Sequence, residues 1–320
     1  MKKATKIWLI VATAFVVAGS ILFVGVMSSL KWNFNEVSTV KYETNTHEIT
    51  ETFENISISS ETADIRFVLS GDDTCKVECY EDEKAKHSVS VENNTLVIRL
   101  VDQKSWYDHI GFNLGSQKIT VYLPKAEYKE LSIKESTGYV ELPKDFTFDR
   151  ADISAATGSI NFFSAAKDVI KLKTNTGNIR VEDTSANSLD LSVTTGKVTV
   201  KNVKCLGDVT LSVSTGETNL SGISCENFRS NGTTGYISLN NVIAKNKLSV
   251  ERSTGDVKFV GCDAAEIFVR TNTGDVTGSL LSDKVFITDT DTGHVDVPKT
   301  TTGGRCEIIS NTGDIRIDIA

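Results

Sequence analysis

Between residues 131 and 320 a Thr-Gly pair returns with a nearly fixed period. Its glycines are Gly138, Gly158, Gly177, Gly196, Gly216, Gly235, Gly255, Gly274, Gly293 and Gly313, spaced 20, 19, 19, 20, 19, 20, 19, 19 and 20 residues apart. A period of this length is the mark of a repeat architecture. Apolar residues fall seven and five positions before the glycine and two and four after it. Leu189, Leu191, Val198 and Val200 do so around Gly196, Val209, Leu211 and Leu220 around Gly216, and Ile308, Ile315 and Ile317 around Gly313. Spacing by two describes a strand with one buried face. The glycine between two such strands marks a turn whose backbone excludes a Cβ. A further apolar position seven after the glycine (Val203, Ile223, Val242, Cys262) is expected to turn inward at a second corner.

Two short strands cannot bury their apolar face alone. Stacked as coils, with each strand parallel to its counterpart in the next rung, they can. Rungs about 4.8 Å apart make ten of them a rod of roughly 50 Å. The expected fold is therefore an all-β parallel β-helix, a solenoid of 19–20-residue two-strand rungs. Right-handed winding is expected because parallel crossovers take that hand. The leucine-rich LxxLxL pattern is missing, and a propeller blade needs about 40 residues. Composition agrees: three prolines and 8% aromatics accompany abundant Val, Ile, Thr and Ser.

The pattern continues upstream in degraded form. Ile56, Ile58, Ile65 and Phe67 fit a rung with Ala63 at the glycine position, Val89, Val91, Leu96 and Ile98 fit one around Asn94, and Ile119 and Val121 follow a turn near Gln117. Residues 70–87 and 102–116 read as insertions. The chain thus divides into a cytoplasmic tip and anchor (1–30), a linker (31–49), irregular N-terminal rungs that cap the solenoid (50–130) and regular repeats (131–320).

Ile7–Leu30 is 24 residues without a charge, preceded by Lys2, Lys3 and Lys6. About 20 apolar residues cross a bilayer, whereas a signal peptide's apolar region is about 7–15 residues. An uncleaved single-pass anchor is expected, with the lysines in the cytoplasm and the repeats outside. The whole chain is −8 and its first thirty residues hold three lysines and no acid, which leaves −11 for residues 31–320. That balance opposes nucleic acid and anionic lipid as partners of the exterior.

The anchor, the opening FENISISS, the segment ITVYLP at 119–124 and the run of STGDV and NTGDI turns resemble a widespread bacterial family of β-strand-repeat proteins. Its function is unknown and its members are often labelled putative adhesins. The resemblance covers nearly all of residues 50–320. It implies a membrane-anchored, surface-exposed β-helix and brings no catalytic residues with it.

Four features compete as sites. The Thr column and its small polar neighbours (Ser136, Asn175, Thr194, Ser214, Ser253, Asn272, Asp291, Asn311) read as a stacking ladder. Asp256, Asp275, His294 and Asp314 follow their glycines in one column, with Asp289 and Asp291 nearby. Such a column is the raw material for calcium binding or an acid/base pair, yet the calcium-repeat pattern is missing and Asp is a favoured turn residue. The insertion at 102–116 gathers Trp106, Tyr107, His109 and Phe112, either an interaction loop or a flap on the solenoid. Ile315, Ile317 and Ile319 are placed on an uncapped last rung, a strand edge open to end-to-end association.

Among the six cysteines, Cys75 and Cys79 share a strand at a spacing that prevents a mutual bridge. Cys262 is a filler in the column of Val242, and Cys306 one in the column of Val285. Cys205 and Cys225 stack at a distance that permits a bridge. No nucleophile, phosphate-loop, cofactor or zinc-pair motif appears. The chain reads as a non-enzymatic surface scaffold or adhesin-like module that meets an envelope protein or glycan. The alternatives are a carbohydrate-active enzyme using the acidic column, or an envelope sensor working with a membrane partner.

Overall fold

In the computed structural model, which describes residues 3–33, 40–106 and 115–320, the Thr-Gly turns lie directly on one another. A Cβ added to Gly216 would sit 1.7 Å from the carbonyl oxygen of Gly196, and one added to Gly196 would sit 1.8 Å from that of Gly177. Their φ angles of +140° and +151° belong to a region that only glycine occupies cheaply. The turn N–H groups bond the next rung: Gly196 donates to the Thr215 carbonyl at 2.9 Å and Gly216 to that of Thr234 at 2.9 Å. The Thr side chains stand exposed along this edge.

Strands on both sides of the turn pair in parallel, Leu189 with Val209 and Leu191 with Leu211 before it, Val198 with Thr218 and Val200 with Leu220 after it. The second corner has its own rule. Six residues after the glycine stand Asp183, Asn202, Gly222, Asn241 and Gly261, with φ of 51°, 51°, 65°, 53° and 60°. Asn, Asp and Gly are the residues that tolerate this left-handed state. It turns Val203, Ile223, Val242 and Cys262 into the core, where all are buried. Two more inward columns complete the lining. Ala155, Thr174, Val193, Val213, Thr271 and Ser310 lie three before the glycine, and Ala186, Cys205, Cys225, Ala244 and Ala264 form a small-residue corner. The result is a β-solenoid of about ten turns preceded by one apolar helix, α1 (Lys3–Ser29). That helix is long and apolar enough to cross a membrane.

Rung order departs from chain order at both ends. Strand Gly304–Thr312 pairs with Val257–Thr273 on one side and Lys284–Thr292 on the other. Ile315–Ile319 likewise lies between Val276–Leu280 and Val295–Asp296. The Gly313 rung is therefore inserted between the Gly274 and Gly293 rungs, and Gly274 N–H donates to Thr312 and Gly313 N–H to Thr292, both at 2.9 Å. Ile315 and Ile317 are buried, so the expectation that they form the open last rung is corrected. The terminal rung is the Gly293 rung. An ion pair at its root, Lys284 Nζ to Asp263 Oδ1 at 2.6 Å with the lysine buried, ties it across the inserted rung.

The N-terminal end repeats this exchange. Its strands are β1 (Tyr42–Ile49), β2 (Asn55–Ser60), β3 (Ala63–Leu69), β4 (Cys75–Asp82), β5 (Ala85–Glu92), β6 (Thr95–Asp102), β7 (Gln117–Leu123) and β8 (Glu127–Thr137). The β2/β3 rung sits between the β6/β7 rung outside and the Gly138 rung inside. Ala63 faces Gln117 at the turn column. Asn93 and Asn94, with φ of 50° and 62°, form the hairpin turn between antiparallel β5 and β6, so the expected rung around Asn94 is corrected. The insertion 70–87 contains β4 and the start of β5, and the linker 31–49 contains β1, which pairs antiparallel with β4. Cys306 faces Phe286 and Ile267, one position away from the column of Val285. All six cysteines are buried free thiols, including the stacked Cys205 and Cys225.

Gly216→Ala is expected to cost roughly 3 kcal/mol through strain and the carbonyl clash, lowering Tm by about 6–10 °C. Gly71→Ala, where nothing lies within 4 Å of the added Cβ, should leave Tm unchanged in the same melting experiment.

Candidate functional site

The acidic column is brought together in space, but its members face one another's backbone. Asp256 Oδ1 accepts the Asp275 N–H at 2.9 Å, Asp275 Oδ1 that of Asp314 at 2.8 Å and Asp314 Oδ1 that of His294 at 2.7 Å. The same bond runs from the Lys197 N–H to Asn178 Oδ1 at 3.0 Å. The column thus bonds each turn to the next, and the remaining Asp314 oxygen is held by Arg316 at 2.6 Å. Of the aromatic insertion, Trp106 is 78% exposed. Tyr107, His109 and Phe112 lie outside the described residues.

Sequence reasoning passed over a polar node inside the N-terminal cap, because its residues stood in a segment read as an insertion. β4 lies on one face of the solenoid and β5 on the other, meeting at Asp82 and Ala85. Across this corner Glu81 accepts three bonds: from His87 N–H at 2.6 Å, His87 Nδ1 at 2.8 Å and Asn45 Nδ2 at 2.9 Å. Ser60 Oγ meets His87 Nε2 at 3.0 Å. A serine, a histidine and a carboxylate in line form the pattern of a nucleophile and its base. All three are buried, so no substrate carbonyl reaches the hydroxyl, and the line joins β1, β2, β4 and β5 instead. Cys79 lies in the same cluster, its thiol pushed up to about 12 by burial and the Glu81 charge.

Ser60 faces Glu135 across the adjacent strand. Glu135 Oε1 accepts N–H groups of Ala63 and Thr137 at 3.4 and 3.3 Å, while its buried Oε2 has no partner. Burial raises this carboxyl to about 7, against weaker opposing hydrogen bonds. Farther along, Arg252 is a buried guanidinium held by Ser230 Oγ at 2.8 Å and the Glu251 carbonyl at 3.1 Å. Desolvation lowers it to about 10. Gly232 makes room for it, since a Cβ there would meet Arg252 Nη1 at 2.5 Å.

Two outer surfaces have the shape to take a partner. A groove of about 680 Å³ crosses the outer face between Asp208 and Glu307. Lys247 Nζ lies 5.8 Å from the ring of Phe268 there, and Asn227 bonds Asp208 at 2.7 Å. The second is the terminal strand Lys284–Thr292. Among the described residues it pairs on one side only, and it leaves Val285 37% and Ile287 47% exposed, with Val295 37% exposed beside them.

Together these elements define a β-solenoid with an apolar N-terminal helix, polar nodes sealed at its cap and open surfaces on its flank and far end. The chain belongs to the Toastrack DUF4097 family, whose model matches residues 53–212 and again 204–320. No curated protein matches it. Among solved structures it is similar to a putative adhesin from Parabacteroides distasonis ATCC 8503, at 14% identity over 76% of this chain and 98% of that one, TM-score 0.48. A putative lipid binding protein from the same organism aligns at 17% identity over 86% and 97%, TM-score 0.48. A putative adhesin from Parabacteroides merdae ATCC 43184 aligns at 13% identity over 77% and 98%, TM-score 0.46.

The raised Glu135 carboxyl fixes a pH dependence. Between its ordinary value of 4.5 and about 7 the folded chain holds a proton that the unfolded chain has lost. The resulting stabilisation is complete below 4.5 and is lost as pH rises through 7. Glu135→Gln should match the parent at pH 5 and exceed it at pH 8 by on the order of 2 kcal/mol. Paired denaturation curves at the two pH values test this, and equal stabilities at pH 8 would refute it.

Proposed function

We propose that this chain is a single-pass membrane protein whose solenoid stands outside the cell as a non-enzymatic binding module, and that its binding surface is the open terminal rung. The observation that carries the reading is the strand Lys284–Thr292. A strand paired on one side presents unused backbone N–H and C=O groups, and here it also exposes Val285 and Ile287. α1 lies at the opposite end of the chain's rung order. With α1 in the bilayer, Lys2, Lys3 and Lys6 keep the N-terminus in the cytoplasm, and the terminal rung is the part of the rod farthest from the anchor.

The chemistry of the edge selects its partner. Its first half is apolar (Val285, Phe286, Ile287), and Asp283, Asp289, Asp291 and Asp296 are exposed around the rest. Two such acidic tips repel each other. The fitting occupant is an extended segment of another envelope protein, carrying apolar side chains and lysine or arginine, added as one more parallel or antiparallel strand. The non-catalytic reading is supported by the acidic column, whose carboxylates bond the turns, and by the sealed serine–histidine–glutamate line.

Peptides of alternating Val and Lys, and of alternating Val and Glu, offered to the detergent-solubilised full chain test this by fluorescence anisotropy. The basic peptide should bind, and Val285→Lys/Ile287→Lys should weaken it at least about tenfold with Tm unchanged. Equal binding of the acidic peptide, or binding that survives the double substitution, would defeat the proposal. Concentration-dependent dimers in sedimentation, lost in the same variant, would replace the foreign strand with a second copy.

A further inference from the structure

The N-terminal cap holds a cluster that the binding tip does not involve. We propose that Cys79, Glu81 and His87 form a buried site for a zinc-class divalent ion that staples the cap. One ligand atom from each, a sulfur, a carboxylate oxygen and a ring nitrogen, lies within 4.8 Å of the other two. The residues are 0%, 1% and 3% exposed.

The fold builds this set from two faces. Cys79 and Glu81 alternate with exposed Tyr80 on β4 and so share its inward side. The β4–β5 corner then carries the chain across and returns His87 to meet them. Thiolate, imidazole and carboxylate are the ligands zinc takes. Thiolate and carboxylate together cancel the charge of a divalent ion, which matters where an unpaired buried charge is expensive.

An outer shell is already in place. Asn45 Nδ2 holds Glu81 Oε1 at 2.9 Å, leaving Oε2 toward His87. Ser60 Oγ holds the far ring nitrogen, Nε2, at 3.0 Å. That contact is the kind that fixes the tautomer of a ligating histidine and orients its ring. An ion at Nδ1 replaces the bond that Nδ1 makes to Glu81 in the structure: the ring proton moves to Nε2, where it donates to Ser60 Oγ, and the Nδ1 lone pair turns to the metal. Binding then exchanges one proton, from the Cys79 thiol to solvent, for the metal–sulfur bond.

Two groups on the paired strands β4 and β1 are idle. The Cys79 thiol makes no hydrogen bond among the described residues. His47 Nε2 is buried without a partner, on the strand where Asn45 faces Cys79 and His47 faces Val77. His47 shares the inward face of β1 with Asn45, two residues along the strand.

The test uses the full chain in detergent, produced with zinc, then stripped and reloaded with Zn²⁺ or Co²⁺. We expect near-stoichiometric zinc after purification, a Tm that falls on chelation, and a sulfur-to-cobalt charge-transfer band. Cys79→Ser keeps the hydrogen-bonded line and should abolish the band and weaken zinc at least about tenfold, while Cys75→Ser should alter neither. Parent protein that retains no zinc and gives no cobalt band overturns the site, whether or not the variants fold. A band that survives Cys79→Ser overturns this ligand set.

Discussion

The contact on which the structure depends is glycine backbone against glycine backbone. At successive turns there is no room for a Cβ between one Cα and the carbonyl oxygen of the turn stacked on it, since a Cβ on Gly216 would lie 1.7 Å from the Gly196 oxygen. That closeness fixes the stacking distance and aligns the strands on both sides. Alignment puts every apolar column over itself, and the buried columns follow from it. Hydroxyls three residues before the glycine complete the turn by donating to the glycine carbonyl of the adjacent rung, Thr174 to Gly158 at 3.0 Å and Ser310 to Gly274 at 3.1 Å.

A stack built this way has no intrinsic end, and both ends solve that problem by exchanging rung order. A segment later in the chain slides between two earlier neighbours at the far end, and β2/β3 is enclosed by later rungs at the near end. The near end is then closed by antiparallel strands that cannot propagate the parallel stack. No antiparallel strand covers the far end among the described residues. The asymmetry is physical: a blunted edge resists addition, and a parallel edge with apolar side chains admits it.

The middle of the fold was legible because it is local. Period, turn glycines and alternation all lie within one unit, and each unit repeats the evidence. Even there, Phe286 was missed as the partner of Cys306, since Val285 and Phe286 are both apolar and alternation cannot choose between them. The ends were not legible. Val89, Val91, Leu96 and Ile98 alternate about Asn94 equally well as a rung or as a hairpin. The signal that separates the two is the pair of consecutive Asn residues, Asn93 and Asn94, between the alternating strands. Nothing in residues 281–320 reveals that the last rung moves inward, because that choice is made by pairing between segments far apart in sequence.

The same contrast governs where chemistry can reside. In the regular rungs a carboxylate in the turn column finds a backbone N–H one rung away, as Asp275 does with Asp314, and its capacity is used by the scaffold. Glu81, His87 and Cys79 stand where the repeat breaks and two faces meet at a corner. There the side chains cannot pair with copies of themselves, and burial raises the cost of every unmet donor or charge. Side chains that the scaffold does not consume are therefore found at its departures from periodicity, in the sealed cap at one end and along the strand Lys284–Thr292 at the other.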